Sequence, residues 1–119
     1  MNFIWVAIGG ALGSVIRYAC SLGGAHYAWH PTLATLLVNV LGSLLIGVLM
    51  GMNVKGSWQQ LGTVGFCGGF TTFSTFSAQT LAWLQKGEWA QSGGYVGVTL
   101  VVCLLATWMG LLIGQKITR

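Results

Sequence analysis

Charge is so sparse in this chain that it dictates the fold class. Residues 18–54, 56–85 and 89–115 contain no Asp, Glu, Lys or Arg. A helix that crosses a bilayer needs about 20 mostly apolar residues, so each run can hold one crossing. Residues 3–16, extended past Arg17, supply another. The expectation is an all-α membrane protein with four transmembrane helices per subunit, at about 3–22, 32–52, 61–84 and 94–116, in one domain over 1–119. Only 5% of the residues are charged and 55% are hydrophobic, against roughly 25% charged in soluble domains. The net charge of +4 rests on five scattered cations, which form no basic patch for nucleic acid. The first apolar run lacks a cationic leader and continues too far for a signal peptide, so it reads as a retained helix.

The third run carries a stretch at odds with its surroundings. Gly65-Phe66-Cys67-Gly68-Gly69-Phe70-Thr71-Thr72-Phe73-Ser74-Thr75-Phe76-Ser77 packs three glycines, five hydroxyl residues and four phenylalanines into a span without charge. Adjacent Gly68-Gly69 carry a high helix cost, so the helix is expected to break near Gly68-Thr71. Backbone groups freed within a membrane are tolerated only in protein or beside a polar cavity. A weak, hydroxyl-rich helix at that depth points to a site for a small ion.

Other polar residues are scattered around this stretch. Asn39 lies about a third of the way into the second helix, where a carboxamide either bonds another helix or offers N–H groups to an anion. Phe73 and Phe76, at i and i+3, either pack or present electropositive ring edges to an anion. Ser74, Thr75 and Ser77 follow them, and hydroxyls in a helix can also bond back to it. Tyr95, Thr99 and Cys103 recur every four residues as a semi-polar stripe on the last helix. Arg17 stands some 20 Å along the first helix, where it either snorkels to water or attracts anions at a pore mouth.

Several constellations are missing. His26 and His30 are four apart, but no Cys, Asp or Glu stands nearby to complete a metal site. Cys20, Cys67 and Cys103 lie in separate apolar segments and read as buried thiols. No nucleophile–base pair or paired carboxylates suggest an enzyme. The glycines Gly9, Gly13, Gly42, Gly47, Gly51, Gly110 and Gly114 fit close helix packing.

Orientation is weakly specified. With four crossings, Lys55, Lys116, Arg119 and the terminal amine share one side, against Lys86 and Arg17 on the other. So small a difference is a poor instruction for the positive-inside rule. Insertion in both directions would give an inverted pair about an in-plane two-fold axis. Four short helices enclose a pore poorly, which also favours a dimer.

These residues match a known pattern. The stretch from Gly65 to Ser77 closely resembles the signature of the bacterial Fluc (CrcB-type) fluoride channels. Gly9-Gly10-x-x-Gly13-x-x-x-Arg17-Tyr18 and Thr35-Leu36-x-Val38-Asn39-x-x-Gly42-Ser43 agree with it, and the resemblance covers essentially the whole chain. It implies a passive fluoride-selective channel in the bacterial plasma (inner) membrane, exporting fluoride and protecting the cell from its toxicity. Such channels are antiparallel homodimers in the lipid bilayer, with two pores. By the same resemblance Phe73, Phe76 and Asn39 line the pore, Ser74 and Thr75 add hydroxyls, and Tyr95, Thr99 and Cys103 form a polar track. Arg17 matches the vestibule arginine. Gly68 and Thr71 would offer backbone carbonyls to a structural sodium ion (Na+) at the dimer interface. Gln79 replaces a frequent Glu, Thr99 and Cys103 stand at frequent serines, and Ala34 replaces a common glycine.

The pattern has a physical rationale. Fluoride is strongly hydrated, and amide N–H, hydroxyls and ring edges can replace its water without binding too tightly to release it. A multidrug-type exporter, the main rival, uses a carboxylate embedded in the membrane, whereas Glu88 falls in a loop. A structural subunit without transport explains the glycines but leaves Asn39, the phenylalanines and the hydroxyls without a reason.

Overall fold

Proline and an unusual cap open the second helix, and glycine closes it. Thr32 N donates to His30 Nδ1 at 3.2 Å, Pro31 occupies the first turn, and the helix ends at Gly51. The computed structural model describes residues 2–118, so the terminal amine and Arg119 counted above lie outside the described residues. Among the described residues every regular element is helical. Helix α1 is Asn2–His26 and α2 is Pro31–Gly51. The next element, α3, covers 57–70 as Ser57–Gln59, a π-helical Gln60–Cys67 and Gly68–Phe70. Helix α4 is Phe73–Gln85 and α5 is Trp89–Ile117.

Three of these helices, α1, α2 and α5, are long and apolar enough to cross a membrane. The segment 57–85 is apolar too, but Thr71 and Thr72 interrupt it. The interruption falls after the glycine pair expected to cause it. Gly68 keeps helical angles, φ −63° and ψ −37°, and Gly68–Phe70 completes a helical turn. Gly69 is held by its neighbours: an added Cβ there would lie 2.6 Å from the Gly10 carbonyl oxygen, whereas one on Gly68 would meet nothing within 4 Å. Close packing thus keeps helical a residue that propensity alone would release. The π-helical turns upstream were not expected, nor was the length of α1, which runs four residues past Leu22.

Two seams organise the packing. A Cβ on Gly9 would sit 2.1 Å from the Leu61 carbonyl oxygen, and one on Gly13 would sit 2.3 Å from that of Phe66. So α1 lies backbone to backbone against α3, and the contacts advance in the same direction along both. Likewise, a Cβ on Gly47 would sit 2.1 Å from the Thr107 carbonyl oxygen, and one on Gly110 would sit 2.2 Å from that of Leu44. Those contacts make α2 and α5 parallel neighbours. Small residues permit this approach, as between helices in lipid. The break at Thr71 and Thr72 lies between the two seams and faces α2: a Cβ on Gly42 would meet Thr71 Cγ2.

Candidate functional site

The interruption is built from threonine, with each backbone group assigned a partner where one is within reach. Thr71 departs with ψ 158° and Thr72 with φ −146° and ψ 121°, both extended. Thr71 turns its N–H and its hydroxyl onto the Cys67 carbonyl, at 3.0 and 2.8 Å. Thr72 N donates to Asn39 Oδ1 at 2.8 Å, and Asn39 Nδ2 donates to the Thr72 carbonyl at 3.1 Å. Only a carboxamide carries a donor and an acceptor side by side in this way. Asn39 thus clamps one residue, bonding both its N–H and its carbonyl as a neighbouring strand would. The two N–H groups expected to face an anion are reduced to one, because the other is committed to Thr72.

Around this clamp the hydroxyls collect. Thr72 Oγ1 caps α4, accepting from Thr75 N at 3.3 Å. It also donates to Thr75 Oγ1 at 3.2 Å and lies 3.3 Å from Ser74 Oγ. On the other flank, Arg17 Nε donates to the Gly69 carbonyl at 3.1 Å. Helix α1 continues nine residues past Arg17, about 13 Å. Arg17 therefore stands within α1 rather than at its end, and its Nε reaches sideways to α3.

A groove of about 420 Å³ opens beside the break. Asn39, Gly68, Thr71, Phe73, Phe76, Thr99 and Cys103 all line it, and none of its lining residues is charged. Phe73 is 77% exposed while Phe76 is buried, with ring centroids 5.7 Å apart. Thr99 is 7% exposed, and its hydroxyl has no hydrogen-bond partner among the described residues. Ser74, Thr75, Tyr95 and Arg17 do not line the groove. Tyr95 stands one ring behind it, 5.0 Å from Phe76, and donates to Gln79 Oε1 at 2.8 Å.

Sequence reasoning missed several participants. Thr107 lines the groove, its hydroxyl bonded to the Cys103 carbonyl at 3.0 Å. The four-residue period of Tyr95, Thr99 and Cys103 continued one step further would have found it. Ser43, four residues after Asn39, lines the groove for the same reason. An aromatic ladder was also missed. From Tyr95 it passes to Trp83 at 5.4 Å and on to His30 at 5.1 Å, far apart in the chain. Cys67 is buried and Cys103 half-buried, both as free thiols. Among the described residues no group of three or more His, Cys, Asp or Glu could hold a metal ion.

Comparison with known proteins matches residues 4–111 to the family described as CrcB-like protein, Camphor Resistance (CrcB). The chain belongs to the CrcB family. It is 43% identical over 116 residues to a protein of Opitutus terrae named fluoride-specific ion channel FluC, covering 91% of this chain and 88% of that one. A protein of the same name from Bordetella petrii is 44% identical over 116 residues, covering 93% and 89%. One from Rhodospirillum rubrum is 40% identical over 119 residues, covering 92% of each. These relatives are named as ion channels, not as enzymes. With its family and its three membrane-capable helices, the chain is a multi-pass membrane protein of bacteria.

Proposed function

We propose that this chain is a passive fluoride channel working as an antiparallel homodimer. The observation that carries the reading is the groove beside Thr71 and Thr72. It combines one amide, two phenylalanine rings and a buried hydroxyl lacking a partner, with no charged side chain. Those groups can replace the hydration of a small anion piecemeal, and without a fixed cation none holds it long. The names of the relatives support fluoride as that anion.

The finer reading follows. Residues 57–85 cross the bilayer as two half-helices, α3 and α4, making a fourth crossing. The groove is open along one side, so a second copy in opposite orientation would close it, giving two pores per dimer. The balance of Lys55 and Lys116 against Lys86 is compatible with insertion both ways. Fluoride would leave the cell down its gradient, which protects against its toxicity.

A structural sodium ion fits the donors. No hydrogen-bond donor among the described residues reaches the carbonyls of Gly68 and Thr71. Unoccupied carbonyl oxygens suit a hard cation. When bound, sodium would add fixed positive potential beside the anion path, while the anion itself meets Asn39, the rings and Thr99.

The test is efflux from liposomes holding the purified protein, with a potassium ionophore, comparing fluoride with chloride. Fast fluoride release and negligible chloride release are expected. No fluoride release from folded protein would reject the reading and turn attention to exchange of drug cations.

A further inference from the structure

The two halves of the interrupted segment are held by different helices. Asn39 of α2 clamps Thr72, on the α4 side. On the α3 side, helix geometry leaves the last carbonyls, those of 67–70, without partners inside the helix. The Cys67 carbonyl is taken by Thr71, and the Gly69 carbonyl by Arg17 Nε at 3.1 Å. The carbonyls of Gly68 and Phe70 stay open, and of these two residues only Gly68 lines the groove. We propose that Arg17 is a positioning residue of the ion pathway, a strut that removes the Gly69 carbonyl from competition and fixes the end of α3, so that at the groove Gly68 and Thr71 are the carbonyls left to ligate a cation.

The chemistry favours arginine at this point. A guanidinium is planar, always charged and directional in its N–H bonds, so it fixes an acceptor's direction as well as its charge. A cation at the carbonyl end of a helical segment also complements its dipole. The base of the strut is rigid, because Gly10 and Gly13 hold α1 against Gly69, Phe66 and Phe70 backbone to backbone. Among the described residues no carboxylate side chain competes for Arg17, since the one in the chain, Glu88, precedes α5 on another segment. An arginine whose only task is to attract anions needs no such directed bond. The proposal rests on the sodium reading for its functional consequence but not for its structural one.

Two measurements on the full-length protein separate these. The first is fluoride efflux from liposomes titrated with sodium against a bulky organic cation, for wild type, Arg17→Lys and Arg17→Met. Losing a charge-assisted bond predicts a rise on the order of tenfold in the sodium concentration giving half-maximal flux, in both variants. The lysine keeps the charge but not the planar donor. If Arg17→Lys keeps the wild-type sodium response and Arg17→Met changes only the response to fluoride and ionic strength, the strut is overturned in favour of ion attraction. The second is amide hydrogen exchange in lipid nanodiscs. Arg17→Met and Arg17→Lys should both speed exchange over residues 68–73, with α5 unchanged. Should wild-type flux ignore sodium, the sodium reading fails and exchange alone decides. Faster exchange over 68–73 then upholds the strut, and unchanged exchange overturns it.

Discussion

Replacing Thr99 by valine should make the protein more stable and a poorer channel. The two side chains have nearly the same shape, so the substitution exchanges a hydroxyl for a methyl. Thr99 is 7% exposed, and its Oγ1 finds no partner among the described residues. Leaving a buried hydroxyl unpaired costs about 1–3 kcal/mol. Thr99→Val removes that cost, and even the lower half of the range amounts to about a 5–30-fold shift toward the folded state. The same hydroxyl lines the groove with Asn39, Phe73 and Phe76, so its loss removes one donor from a passing anion. Thermal unfolding of the purified protein reads the first effect, and fluoride efflux from liposomes reads the second. A rise in stability with a fall in flux is the expected pair. A less stable protein with unchanged flux would refute the reasoning, because it would mean that Thr99 is bonded in place and serves only packing.

Asn39→Ala removes both bonds to Thr72 and should destabilise the break by about 2–4 kcal/mol while abolishing most flux, read by hydrogen exchange and efflux together; Asn39→Asp, which keeps the acceptor and loses the donor, should fall between. Phe73→Ile or Phe76→Ile should cut fluoride flux while the elution volume on size-exclusion chromatography stays that of the wild type, and full flux in both would remove the rings from the pathway. Gly47→Ala should cost at least ~1–3 kcal/mol, because the new methyl meets the rigid Thr107 carbonyl rather than a side chain that can turn away; loss of folded material after mild heating measures it.

What the sequence made legible follows from the range of the signals. Apolar runs with little charge are long and local, so α1, α2 and α5 were readable as membrane-capable helices. The stretch from Gly65 to Ser77 stood out because three glycines and five hydroxyl residues fall within a run without charge. Its detail did not. Intrinsic propensity pointed to Gly68-Gly69 as the interruption, but Gly69 packs against Gly10, both glycines stay helical, and the departure falls at Thr71. The bonds of Asn39 to Thr72 and of Arg17 to Gly69 join positions 33 and 52 residues apart. Neither separation leaves any periodic trace in the chain. For the same reason the ladder from Tyr95 through Trp83 to His30 went unread, although each ring was visible on its own.

The two glycine seams also govern the order in which the protein can assemble as it is made. The closest partner of α1 is α3, not α2, and that of α2 is α5, the last of the described helices in chain order. Until α5 leaves the ribosome, the small-residue face of α2 around Gly47 has only lipid or the insertion machinery to lie against. Chains stopped before Trp89 would therefore hold a finished α1–α3 seam beside an unfinished α2. Until α5 closes the second seam, quality control in the membrane thus has a defined intermediate to act on.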